Sequence, residues 1–442
     1  MAEYGFNTVQ VRGGYASGDH QESVAVPVYA TAAFDFGSVE RADRLTSGVE
    51  AGFVYTRIGN PTNDVLERRI AALDGGVGAV SFGSGMAAIS STILAVTGGS
   101  GRILSTYQIY GGAFDLERSI FPNLGIHFDL LSHESSLEEW EKAITPETKA
   151  IYVESISNPS AKLLDYEALA RLAHKYNIPF IVDNTFATPY LFKPLDHGAD
   201  IVVYSATKAL NGHGNAIGGL VVEGSTFRWS KEKFPQFYKK HWVIRDLKDR
   251  KRSFLEAFPD FPLTALLRLS YLAYFGAVLS PYEAQLILIG VETLSERVKK
   301  QVENTRAVLS YLQEQSDVVA WVSYPETQDN PDYDLAKQYF PNGAGSVLSF
   351  GFKGTWEEEV KLIESVKIFG YQANVGDARS LIVNSPKITH GELTPEELNE
   401  ADIAPETIRL SLGLEDAADL VEDLRQAFDA IREEREKAQK SA

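Results

Sequence analysis

The sequence predicts an α/β fold: a large domain on a mostly parallel sheet of about seven strands, followed by a smaller C-terminal α+β domain. Three observations carry this. Between residues 77 and 223, short β-branched apolar runs alternate with polar, helix-permitting stretches of ten or more residues, the rhythm of repeated strand–helix units. The runs at 79–82, 102–105, 127–131, 150–154, 179–182, 201–204 and 219–222 are mostly apolar throughout, as strands covered on both faces are. The chain has 442 residues, 44% of them hydrophobic, enough for two or three domains at roughly 150 residues each.

Residues 1–60 hold Pro27, many aromatics and glycines and little regular period, and read as an arm that lies on something else, a neighbouring subunit. Residues 61–260 form the sheet domain. Within it, 166–176 (YEALARLAHKY) places Leu169, Leu172 and Ala173 at helical spacing, and Asn177 and Pro179 stop the helix before the next strand. The stretch 227–252 is rich in Lys, Arg and aromatics and interrupts the rhythm; it reads as a solvated surface or interface loop. Residues 261–442 make the second domain: a long helical stretch over 283–312, a strand near 345–352, a helix near 357–368, and an amphipathic segment over 414–440 with Leu420, Leu424, Phe428 and Ile431 on one face.

Composition removes several function classes. A net charge of −18 opposes binding to a phosphate backbone, so nucleic acid is not an expected partner. With no cysteine in the chain, disulfides, thiolate metal sites and cysteine nucleophiles are out, and no metal site is expected. The first ten residues lack a basic start and an apolar run, and no stretch approaches the roughly 18 apolar residues of a membrane span. The expectation is a soluble cytoplasmic protein.

The chemistry gathers at strand ends. Ser205-Ala206-Thr207-Lys208 follows the apolar run 201–204, so Lys208 sits at a carboxyl edge, where open α/β sheets bind ligands. Most loop lysines are solvated surface groups, but one partly withdrawn from water sheds its charge more readily and can form a Schiff base with an aldehyde. Asp183 ends another apolar run and emerges on the same edge. A lysine for an imine and an aspartate for a protonated ring nitrogen are the pair that pyridoxal phosphate requires. The turn Gly83-Ser84-Gly85-Met86 between a strand and a helix start offers main-chain amides to a phosphate, with Gly85 and Met86 as donors and the hydroxyls of Ser205 and Thr207 beside them. Tyr110, before two glycines, presents a ring that can stack on a flat cofactor. The spacing G-x-S-x-G of a serine-hydrolase elbow is not present at this turn, nor is the G-x-G-x-x-G of a dinucleotide-binding dehydrogenase after the first strand.

At these residues the chain resembles the pyridoxal-phosphate-dependent enzymes of cysteine and methionine metabolism, which share the fold type I, aspartate aminotransferase-like architecture. The likeness runs over nearly the whole length: 55–62 (YTRIGNPT), 83–86 (GSGM), 110–112 (YGG), 157–159 (SNP), 182–189 (VDNTFATP), 205–208 (SATK) and 408–411 (IRLS). The resemblance implies that Lys208 holds the cofactor and carries protons among Cα, C4′ and Cβ, that Asp183 faces the pyridinium, and that Tyr110 stacks and supplies an acid. It implies a phosphate cradle of Gly85, Met86, Ser205 and Thr207 completed by Tyr55 and Arg57 of a neighbouring subunit. Arg409 would hold the substrate carboxylate with Asn374, and Asn158 would meet the cofactor's phenolic oxygen or that carboxylate. The expected assembly is a homo-oligomer, a tetramer built from dimers with shared sites.

Within the family, 373–382 (ANVGDARSLI), 212–219 (GHGNAIGG) and 346–351 (SVLSFG) are most similar to O-acetylhomoserine sulfhydrylases, whereas Met86 matches the synthases and lyases. The implied reaction is γ-replacement: an amino-acid substrate, O-acetyl-L-homoserine, exchanges acetate for sulfide or methanethiol to give homocysteine or methionine. The alternatives are cystathionine γ-synthase or O-succinylhomoserine sulfhydrylase, a cystathionine or methionine γ-lyase that eliminates instead, and a non-catalytic cofactor-binding protein.

Overall fold

The computed structural model describes residues 4–246, 248–391 and 393–441. Its larger sheet has seven strands: β1 (Gly78–Phe82), β2 (Gly101–Thr106), β3 (Ile126–Leu131), β4 (Thr148–Glu154), β5 (Phe180–Asp183), β6 (Ile201–Ser205) and β7 (Gly219–Glu223). They lie in the order β1-β7-β6-β5-β4-β2-β3. Pairings from β3 through to β6 are parallel, while β7 runs antiparallel to both β6 and β1. The central strands are apolar throughout because helices cover both faces, and Ile151, Ile181, Val182, Val202 and Val203 are wholly buried.

A short hairpin follows, β8 (His241–Arg245) with β9 (Lys251–Arg252). Three aromatics ahead of it, Trp229, Phe234 and Phe237, fold inward instead of lying on a solvated loop, while Tyr238 stays exposed. Trp229 stacks on Phe237 with centroids 4.1 Å apart, and Phe234 and Phe237 are fully buried. The smaller sheet comprises β10 (Val319–Ser323), β11 (Val347–Phe352), β12 (Gly370–Tyr371), β13 (Leu381–Asn384) and β14 (Thr407–Ser411), in the order β10-β11-β14-β13-β12.

Helix ends follow their capping chemistry. In α1 (Pro61–Asp74) the Asn60 side chain accepts the Thr62 amide, Pro61 opens the helix, and Gly75 closes it at φ 78°. In α2 (Gly85–Thr97) Ser84 accepts the Ala87 amide and Gly98 ends the helix at φ 66°. Helix α3 (Tyr166–Lys175) buries Leu169, Leu172 and Ala173 as their spacing predicts. Helix α4 (Pro262–Leu266) lies against the large sheet: the Glu223 carboxylate, ending β7, accepts the amides of Leu263 and Thr264 at 3.0 and 2.7 Å. The long helical stretch divides at Glu292–Thr293 into α5 (Pro281–Val291) and α6 (Leu294–Gln313). Helices α7 (Trp356–Ser365) and α8 (Ala417–Ser441) pack together beside the small sheet, and Leu420, Leu424, Phe428 and Ile431 of α8 are wholly buried. Among the described residues no helix is long and apolar enough to cross a membrane.

Candidate active site

The parallel strands β4, β5 and β6 end side by side, and the parallel register sets Glu154 of β4 beside Asp183 of β5. Above this edge, the start of α2, the turn after β2 and two pieces of the small sheet enclose a cavity of about 400 Å³. Arg409 reaches it from β14, the middle strand of the small sheet, and Asn374 from the loop joining β12 to β13. Gly85, Met86, Tyr110, Asn158, Asp183, Ser205, Thr207, Lys208, Asn374 and Arg409 all line it.

Lys208 Nζ donates to Asn374 Oδ1 at 2.9 Å. Burial, and secondarily the Arg409 charge, bring the Lys208 amine down to about 8, so roughly a tenth of it is neutral at about pH 7, far more than for a solvated lysine. Arg409 is 3% exposed, and burial lowers it to about 10. It donates through Nη1 to Asn158 Oδ1 at 2.8 Å and through Nη2 to the Asn374 carbonyl at 3.1 Å, while its buried Nε has no partner within the described chain.

Asp183 is buried, which pushes its carboxyl up. Three donors oppose that: the Thr185 hydroxyl at 2.5 Å and amide at 3.0 Å on Oδ1, and the Tyr152 hydroxyl at 3.3 Å on Oδ2. These donors favour the charged carboxylate that would face a cation in the cavity. Glu154 differs: burial first, and then the Asp183 charge, push it well above the carboxylate range. Neighbouring carboxyls in unequal surroundings are thus pushed up unequally, Glu154 further than Asp183.

The phosphate end is built from small residues. A Cβ on Gly85 would lie 2.7 Å from Ser205 Cβ, so only glycine lets the helix start approach the lysine loop this closely. As the first helical positions, the Gly85 and Met86 amides have no carbonyl one turn back to bind. Together with the helix dipole they suit a phosphate, and Ser205 and Thr207 lie beside them. The unpartnered Arg409 Nε, the glycine-only approach at Gly85 and the donor-supplied Asp183 fit pyridoxal phosphate with an amino-acid substrate.

Tyr55 and Arg57 are not brought to the cavity of the same chain. The Arg57 guanidinium lies 5.4 Å from the Tyr55 ring centroid and its Nη1 donates to the Ala273 carbonyl at 2.5 Å. Sequence reasoning passed over Glu154, Thr185 and Tyr152. Glu154 was within reach, since it ends an apolar run on the same edge as Asp183. Thr185 follows two residues after Asp183, the spacing at which a side chain caps a local turn. The walls given by Ile388 and Thr389 belong to a segment without a periodic signal.

The model of the Cys/Met metabolism PLP-dependent enzyme family matches residues 7–429. The chain belongs to this family. It is a pyridoxal-phosphate-dependent enzyme, and its similarity to single members is spread over its length. An O-acetyl-L-homoserine sulfhydrylase of Thermus thermophilus is 39% identical over 424 residues, 96% of this chain and 99% of that protein. A homocysteine synthase of Schizosaccharomyces pombe is 38% identical over 427 residues, 96% of this chain and 98% of that protein. Among solved structures, a Campylobacter jejuni chain described as an O-acetylhomoserine (thiol)-lyase has a TM-score of 0.90 at 33% identity, covering 96% of this chain and 100% of that one. It holds N'-pyridoxyl-lysine-5'-monophosphate, the cofactor joined to a lysine.

Proposed function

We propose that the protein catalyses γ-replacement on O-acetyl-L-homoserine, with sulfide or methanethiol as acceptor and homocysteine or methionine as product. Pyridoxal phosphate, when bound, supplies an electron sink for negative charge developing on the carbons of an amino acid. Lys208 holds the cofactor aldehyde and then, freed as an amine, moves protons at Cα and Cβ. Asp183 faces the ring nitrogen and keeps it protonated. Arg409, positioned by Asn158 and Asn374, binds the α-carboxylate and so orients the bond to be broken. Tyr110 stacks over the ring, and its hydroxyl protonates the departing acetate. Gly85, Met86, Ser205 and Thr207 hold the phosphate.

The choice of ester rests on charge. Among the residues lining the cavity the ammonium and guanidinium groups are those of Lys208 and Arg409, and both have tasks. A succinyl ester brings a second carboxylate that calls for a further cation, whereas an acetyl ester brings none. The name of the Thermus thermophilus relative agrees with this choice. Initial rates with O-acetyl- and O-succinyl-L-homoserine at equal sulfide test it: faster turnover of the acetyl ester is the expected result, and a preference for the succinyl ester reverses the assignment.

Residues 1–60 form the arm, 61–260 the cofactor domain and 261–442 the C-terminal domain in this reading, and Tyr55 and Arg57 complete the phosphate site of a neighbouring subunit within a tetramer of dimers. Their exposed position outside their own cavity supports this; light scattering reads the assembly. A cytoplasmic location goes with this reading and is tested by cell fractionation.

A further inference from the structure

One buried carboxyl in the cavity wall has no task in the chemistry above. Glu154 ends β4 and is 9% exposed. Its Oε1 accepts the Tyr110 amide at 2.7 Å, and the Asn158 amide also draws on its carboxyl. These amides belong to two separate loops. Tyr110 lies on the turn after β2 and is 44% exposed; its ring passes so close to Gly112 that a Cβ there would sit 2.7 Å from Tyr110 Cε1. Asn158 lies after β4 and receives Arg409 Nη1. A turn amide left without an acceptor against this wall costs free energy, so the carboxyl fixes where the Tyr110 turn rests, with the Asn158 amide beside it.

We propose that Glu154 is a positioning residue that clamps the Tyr110 and Asn158 loops together, fixing the stacking ring and, through Asn158, the carboxylate-binding guanidinium of Arg409. The inference rests on the roles given to Tyr110 and Arg409 above. It explains why two carboxyls stand adjacent on β4 and β5: Asp183 serves the ring nitrogen, and Glu154 serves the backbone. Because burial and the Asp183 charge favour a neutral Glu154, a carboxamide is a fair stand-in, as it keeps an acceptor oxygen without charge.

The test compares the cofactor-loaded wild type with Glu154→Gln and Glu154→Ala. Amide hydrogen exchange at Tyr110 should be slow in the wild type, faster by about tenfold or more in Glu154→Ala once the bond is lost, and restored toward wild type in Glu154→Gln. The circular dichroism of the bound cofactor should fall in Glu154→Ala and return in Glu154→Gln, and KM for the amino-acid substrate should rise more than kcat falls in Glu154→Ala. Equal exchange at Tyr110 in wild type and Glu154→Ala would overturn the clamp, as would a Glu154→Gln protein as altered as Glu154→Ala in both exchange and dichroism. If Glu154→Ala does not fold, Glu154→Asp, one methylene short, is read by the same exchange measurement with the same two outcomes. Exchange and dichroism are recorded without substrate. A wild type inert toward O-acetyl-L-homoserine therefore counts against the proposed reaction and leaves the clamp to be decided on its own readings.

Discussion

The Lys208 ammonium and the Asn374 side-chain carbonyl meet at 2.9 Å across 166 positions of sequence. The lysine comes from the edge of the large sheet and the asparagine from a loop of the small one, and the Asn374 main-chain carbonyl also receives Arg409. One residue thus ties the lysine proposed to hold the cofactor to the arginine proposed for the substrate carboxylate. The site exists only when the two sheets are docked.

That bond has a pH signature. The Asn374 carbonyl favours the charged lysine, whereas burial brings Lys208 from 10.5 to about 8. Uptake of pyridoxal phosphate by apoprotein needs the neutral amine, so its rate should rise with pH through about 8 and level off above. Asn374→Ala removes the acceptor and should move the midpoint lower, a shift read in absorbance-monitored uptake. For the apoprotein, the folded state binds fewer protons than the unfolded state between about 8 and 10.5. Lys208 therefore makes stability rise with pH across that window.

Replacing Lys208 itself with Ala removes the proposed proton carrier and covalent anchor. Turnover should fall by about 10³-fold or more, and borohydride reduction followed by mass spectrometry should find no pyridoxyl group on the chain.

Arg409→Lys keeps a cation but loses the planar fork. KM for the amino-acid substrate should rise by about ten- to a hundredfold with a smaller change in kcat, while cofactor content, measured by absorbance, stays near stoichiometric. A change confined to kcat would remove Arg409 from the carboxylate site.

If Tyr55 and Arg57 serve a neighbouring subunit, two inactive proteins can repair each other. Arg57→Ala and Lys208→Ala, unfolded and refolded as a mixture, should regain part of the activity that neither has alone, because some mixed interfaces carry one intact site. Mixtures no more active than the separate variants would place both residues outside the shared site.

Glu223 is a stability position. Its buried carboxyl, raised to about 7 by burial, accepts the amides of Leu263 and Thr264 and the Thr264 hydroxyl. Glu223→Ala strands two buried amides and should cost about 3 kcal/mol, measured by urea unfolding.

Much of this was legible from the chain. The seven apolar runs foretold the large sheet because strands buried on both faces need no alternation. The Lys208 and Asp183 edge followed from where those runs stop. Strand limits shifted by a residue, as at Phe180–Asp183, because apolar content does not mark where ladder bonds end. Less was legible where function depends on long-range docking. Nothing local to Asn374 says that it meets Lys208; only the family likeness pointed to it. Glu154 looked like an ordinary strand end because its partner is a main-chain amide 44 residues away, and backbone partners leave no mark on composition. The inward folding of Trp229, Phe234 and Phe237 was hidden by the charged Lys231, Glu232 and Lys233 between them.

The central claim is tested most directly by incubating the cofactor-loaded protein with O-acetyl-L-homoserine, with and without sulfide, and quantifying homocysteine and 2-oxobutyrate by chromatography. Homocysteine that depends on sulfide is the predicted result. 2-Oxobutyrate formed at the same rate in both, with no homocysteine, would contradict it and make the enzyme a lyase.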